Sequence, residues 1–254
     1  PNPELLMSTK LRFLLLLLVV VVYFWISMTD NADSLESGLN EYQIQFIGSD
    51  MTIDGRLDEA AWEAAVDVGA FEFPWWEAGE KEQTRARLLW DDEYLYVSFV
   101  CDDAYISGVH TERDSPVYDD DCVEVFTSPN PAQLKKYFNV EMNVLGASLE
   151  HLHPEGPGTK SDWDPEVKIA TTVDGTLNDD TDRDRHWVLE AAIPFSSFAE
   201  IAVNTPPLDG DEWRMNLNRL GGKTNKQASQ WSPGDPRKFS FHAPQYFGRV
   251  RFVK

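Results

Sequence analysis

"YFNVEMNV" (137–144) and "WRMNLNR" (213–219) share one alternation. In the first, Phe138, Val140, Met142 and Val144 fall on one side of an extended chain, and Asn139, Glu141 and Asn143 on the other. In the second, Trp213, Met215 and Leu217 alternate in the same way with Arg214, Asn216 and Asn218. The apolar rows predict strands facing a core. The opposite rows gather planar amides and charged groups, which serve sugar hydroxyls where the surface is concave and are simply solvated where it is open.

Outward from these two strands the chain continues in the same manner. Runs at 42–47, 84–90, 94–101, 121–127, 167–173, 186–193 and 247–253 are short and rich in β-branched or aromatic residues. Turn chemistry such as "DDE", "SPNP", "HPEGPG" and "PPLDGDE" separates them. The pattern predicts an all-β fold, an antiparallel β-sandwich. One or two short helices accompany it, at "LDEAAWEAA" (57–65) and "PFSSF" (194–198).

A chain of 254 residues with 42% hydrophobic content supports one domain with a full core. Its net charge of −21 repels polyanions, so nucleic acid is not an expected partner. Lys10 and Arg12 precede the apolar run "FLLLLLVVVVYFWI" (13–26), the length of an export signal, cleaved or retained as an anchor. Residues 1–40 thus read as signal or anchor plus tether, and 41–254 as the sandwich. The expected location is secreted or cell-envelope, with membrane contact only through an uncleaved leader, and the expected state is a monomer. Two cysteines, Cys101 and Cys122, close and open successive strand-like runs. A disulfide and a pair of small buried thiols are both compatible with that placement.

Enzyme motifs are missing: there is no G-x-S-x-G elbow, H-E-x-x-H, phosphate-binding glycine loop or C-x-x-C. Carboxylate pairs pick out nothing in a chain with 43 acids. Metal signals are soft. "HLH" (151–153) places two imidazoles on one side of an extended segment, and "NDDTDRD" (178–184) and "YDDD" (118–121) are acidic clusters that could hold calcium. Trp75, Trp76, Tyr118, Trp163, Trp231 and Phe241 occupy loop-like or strand-end settings, where rings either plug a sandwich or stack on sugars.

Taken in order, "IDGRLDEAAW" (53–62), "LLWDDEYLYV" (88–97), "DDDCVEVF" (119–126), "YFNVEMN", "WVLEAAIPF" (187–195), "WRMNLNR", "WSP" (231–233) and "FGRVRF" (247–252) resemble the family 9 carbohydrate-binding modules. The likeness covers residues 42–254. It implies an immunoglobulin-like, DOMON-like sandwich that binds an oligo- or polysaccharide without catalysis, in polysaccharide capture or beside a glycoside hydrolase. No cofactor is required, although family members bind structural calcium. By this resemblance two rings clamp a sugar at a chain end, and those positions hold Tyr118 and Phe241 here. The family's acidic hydrogen-bonding residue falls on Glu124, its strand amides on Asn216 and Asn218, and its basic residue on Asn139. Glu141 shares the polar row, and His242 stands exposed beside Phe241 in the loop that forms one wall. Trp231 holds the base of that loop. Some DOMON-like relatives instead bind b-type haem through axial Met, His or Lys, but Met142 and Met215 lie on core rows.

Overall fold

The computed structural model describes residues 38–221 and 226–254. The run 13–26 and most of the tether lie outside the described residues. Residues 40–254 form one compact unit.

Its strands are β1 (Glu41–Phe46), β2 (Thr84–Trp90), β3 (Tyr94–Asp102), β4 (Cys122–Ser128), β5 (Tyr137–Asn143) and β6 (Ser148–His153). They continue with β7 (Ser161–Asp162), β8 (Lys168–Asp174), β9 (His186–Pro194), β10 (Glu212–Leu220), β11 (Ala228–Gln230) and β12 (Gly248–Val253). One helix, α1 (Ala60–Ala64), and a single 3-10 turn at Phe195–Phe198 stand where helical composition was expected. α1 is shorter than the 57–65 expectation, since Glu59 and Ala65 on either side of it are extended, with ψ of 138° and 134°.

The strands form one curled sheet in the order β7-β6-β5-β4-β10-β12-β1-β2-β3-β9-β8, with β11 paired to β10 off this path. Curling brings the β4, β5 and β10 layer over the β2, β3 and β9 layer. The core between them joins Val123, Val125, Val140, Met142 and Leu217 to Leu88, Val97, Phe99, Leu189 and Ala191. Met142 and Met215 are both fully buried there. The fold is the expected all-β sandwich with one difference in strand direction. β1 runs parallel to both β12 and β2, with Ile44 opposite Phe252 and Gln45 opposite Leu89. Alternation within a strand reports which residues face inward and carries nothing about direction.

Several of the quoted motifs are held by buried polar contacts. Trp62 on α1 donates its indole Nε1–H to Glu190 Oε1 at 2.8 Å, and Glu190 Oε2 accepts the amides of Asp54 and Gly55 at 3.1 Å each. This ties "IDGRLDEAAW" to β9. Asp91 Oδ1 accepts the amides of Glu93 and Tyr94 at 2.7 Å, shaping the β2–β3 hairpin.

Trp231 is buried, as expected of a residue that anchors its loop. Its indole Nε1–H donates to Val68 O at 2.9 Å, and its carbonyl accepts Asn40 Nδ2 at 2.6 Å. Gly248 opens β12 directly beneath the ring. A Cβ there would lie 2.5 and 2.7 Å from the indole and 2.8 Å from Asn40 O. Gly248→Ala should therefore cost about 1–3 kcal/mol, as forced overpacking does, measured by urea denaturation with an unchanged m-value.

Candidate functional site

Every residue of β4 and β5 is buried. The inner row packs into the core. The outer row carries Glu124 and Phe126 on β4 and Tyr137, Asn139, Glu141 and Asn143 on β5, flanked by Asn216 and Asn218 on β10 and His151 and His153 on β6. Register places Asn218 opposite Glu124 and Glu124 opposite Glu141, so two carboxylates and an amide form one line across three strands.

Withdrawn from solvent, these groups pair with one another. His153 Nε2 contacts Asn139 Oδ1 at 2.8 Å, Asn139 Nδ2 donates to Glu141 Oε1 at 2.7 Å, and Asn218 Nδ2 donates to Glu124 Oε2 at 3.3 Å. Tyr137 OH and His242 Nδ1 lie 2.8 Å apart, and the ring of Tyr137 stacks on His153 with centroids at 4.4 Å. Burial lowers the pKa of His153 and His242 to about 4, so both are neutral imidazoles near pH 7. His153 accordingly donates from Nε2 to the amide oxygen, while the direction of the Tyr137–His242 bond follows the tautomer of His242. Among the buried atoms of this face without a protein partner are Glu141 Oε2, Asn218 Oδ1 and the Nδ1 atoms of His151 and His153.

Burial, and secondarily the Glu141 carboxylate opposite, pushes Glu124 well above the usual carboxylate range. Burial raises Glu141 to about 7, opposed by the charge of Lys160. Two carboxyls facing each other out of water share a proton more readily than they hold two charges. Near neutrality this line contains both a proton donor and carboxylate acceptors.

Apolar groups flank Glu124 on both sides along β4. Tyr118 lies in a 3-10 turn before β4 and is 45% exposed, while its neighbour Val117 packs on Cys122 and Leu149. Further along β4, Phe126, Tyr137, Phe241 and Phe247 form a second apolar cluster, with Trp75 against it. Glu124 lies between Cys122 and Phe126 on this face, and hence between the two clusters.

The structure changes the reading of several residues. Phe241, expected to stand exposed, is 6% exposed, because Trp75 and Phe239 close over it at 5.7 and 5.4 Å between ring centroids. His242 beside it is half-buried against Phe126, Tyr137 and His153. The exposed ring of that loop is Phe239. Asn216 spends its amide on the protein: Nδ2 donates to Ser232 O and Gln230 Oε1 at 2.8 and 3.2 Å, and Oδ1 accepts the amides of Ser232 and Leu217 at 2.9 and 3.0 Å. It fastens the start of the 231–247 loop and keeps no capacity for a ligand.

Cys101 and Cys122 are free thiols. Cys101 faces the core from β3, and Cys122 faces Val117, Ala147 and Leu149 on the other side of β4. A wall of sheet stands between the two sulfurs, so no disulfide joins them.

The acidic clusters act as loop staples. Asp120 accepts the amides of Val109 and His110 at 3.0 Å each, and Asp121 accepts that of Ser107 at 2.6 Å. Asp184 accepts the amides of Ile106 and Thr176 at 2.7 and 2.6 Å. Among the described residues no group of three or more His, Cys, Asp or Glu side chains is disposed to hold a metal ion. These oxygens hold backbone donors, and "HLH" is part of β6.

Trp75 and Trp76, read from the sequence as rings that either plug the sandwich or stack on sugars, were not among the two clamp positions. They line a cleft of about 650 Å³ together with Phe73, Phe239, Leu220 and Gln227.

With this geometry in place, the comparisons become readable. The model of carbohydrate-binding family 9 matches residues 56–252. The chain belongs to that family. Its members are non-catalytic carbohydrate-binding modules. A Bacteroides uniformis protein for which carbohydrate binding has been suggested superposes with a TM-score of 0.68 at 20% identity, over 84% of this chain and 99% of that one. A family 9 module of Caldicellulosiruptor kristjanssonii, solved with cellotriose, gives 0.59 at 17% identity over 84% and 93%. Endo-1,4-beta-xylanase C of Paenibacillus barcinonensis is 24% identical over 238 residues, 89% of this chain. The match spans 18% of that xylanase's length. At these identities the two solved structures speak for the fold.

The pKa direction at Glu141 makes a stability prediction. Its folded value near 7 lies above the ordinary 4.5, so the folded domain binds the extra proton between these limits and loses stability as pH rises through them. Glu141→Gln should raise stability at pH 8 by about 1–3 kcal/mol and leave it little changed at pH 4.5, read from chemical denaturation at the two pH values.

Proposed function

We propose that this module binds the end of a glycan on the outer face of β4, β5 and β10, without catalysis, and that it serves polysaccharide capture as an exported accessory to glycoside hydrolysis. The observation that carries the reading is the line of Asn218, Glu124 and Glu141, where the amide Oδ1 and Glu141 Oε2 have no protein partner, between the apolar cluster at Cys122 and the aromatic one at Phe126. A pyranose presents hydroxyls that donate and accept at its rim and C–H faces that are apolar. The carboxyl pair and amide match the rim, and Tyr118 matches the face. Family membership, the cellotriose complex of the Caldicellulosiruptor module and the xylanase relative support the same ligand class.

The proposal assigns roles differently from a clamp of two equal rings. Tyr118 is the open stacking surface. Phe241 backs the opposite wall from within, and Asn139 orients Glu141 while His153 orients Asn139.

Glycan-array screening followed by calorimetry with the strongest ligand tests this reading. Tyr118→Ala should weaken binding by about 1–3 kcal/mol with unfolding unchanged, the range for one buried side chain. Phe241→Ala should instead destabilise the fold by about 3–5 kcal/mol, as large core truncations do. Wild-type titration of every array hit without heat, or a Tyr118→Ala variant that binds like wild type, would remove the proposed site.

A further inference from the structure

We infer that the cleft between the 73–79 loop and the 226–228 segment is a second sugar subsite, taking further pyranose rings of the glycan whose end lies on the polar face. The inference rests on the binding face proposed above and extends it along the ligand.

The cleft's volume, about 650 Å³, lies within the range of small-molecule sites. Its aromatic surface is open: Trp76 is 42% and Phe239 56% exposed, unusual for rings of this size. They are not loose. Trp75 donates its indole N–H to Asp235 O at 3.0 Å and meets Phe239 edge-on at 4.9 Å, and Lys81 Nζ sits 5.0 Å from the ring of Trp76. Gln227 pins the two walls, accepting the amide of Glu82 through Oε1 at 3.0 Å and donating through Nε2 to Glu80 O. A platform fixed before the ligand arrives costs little ordering on binding.

Two further observations connect the cleft with the polar face. Leu220 lines the cleft and lies opposite Cys122, one outward-facing step along β4 from Glu124. Gln230, opposite Asn218, keeps a buried Nε2 without a partner. A Cβ on Gly234 would touch both that nitrogen, at 2.9 Å, and the Trp75 ring, at 3.5 Å, so the amide lies at the back of the aromatic wall. The charged Glu77 and Lys226 stand beside the rings. Flat apolar surfaces bordered by charged and amide groups fit a sugar ring, apolar on its faces and polar around its edge, better than a lipid chain.

The test is chain-length dependence. Wild type and Trp76→Ala are titrated with cellobiose and cellohexaose, and with xylobiose and xylohexaose. Circular dichroism shows that the variant is folded, as expected for an exposed side chain. Wild type should bind the six-unit oligomer of its preferred series at least fivefold more tightly than the two-unit one. Trp76→Ala should abolish that gain and keep two-unit affinity within twofold. Equal wild-type affinity at both lengths, or a variant whose six-unit affinity matches wild type, overturns the subsite and leaves the polar-face reading standing. Failure of wild type to bind either series at either length overturns both.

Discussion

Burial of β4 and β5 on both faces is the constraint from which the rest follows. A strand covered on one side can leave its polar row to water. Here the outer row is walled in by the apolar clusters around Cys122 and Phe126, so its amides, imidazoles and carboxyls largely satisfy one another. Asn139, placed between His153 and Glu141, does this by using oxygen toward one and nitrogen toward the other. Glu141 Oε2 and Asn218 Oδ1, on the strands either side of Glu124, are among the buried atoms that stay without a protein partner. Unmet acceptors in an otherwise paired network are where a hydroxyl-bearing partner gains most.

The face and the scaffold divide the polar residues between them. Asn216 and Asn218 occupy successive outward positions on β10, yet Asn216 is spent on Ser232, Gln230 and its own neighbour Leu217 while Asn218 reaches Glu124. The acids follow the same division. Asp120, Asp121 and Asp184 receive backbone amides and shape loops, whereas Glu124 and Glu141 face each other across the sheet. In this strongly acidic chain, identity of the side chain therefore says little, and its hydrogen-bonding partners say which acids build and which present.

Much of this was readable from the residues. Alternation placed Met142, Met215 and Leu217 in the core, and β2 occupies 84–90 as expected. Trp231, flanked by turn residues, is the buried anchor that its position suggested. β6 was hidden because "HLH" borders "PEGPG", whose turn residues outweigh a short polar strand. The opposition of Glu124 and Glu141 depends on the register between two strands, which no single strand's pattern contains. Phe241 looked exposed because the ring that covers it, Trp75, comes from a segment more than 150 residues away in sequence. The cysteines stood near each other only along the chain.

The parallel placement of β1 also has a bearing on how the domain assembles. Along the hydrogen-bonded path the two layers meet only through β12 and β1, the last and first strands of the unit. During synthesis, β1 emerges long before its β12 partner exists, and the seam can zip only once β12 has emerged. Such closure between distant ends makes for slow folding, and it leaves an open edge that invites mispairing or chaperone attention until the final strand arrives.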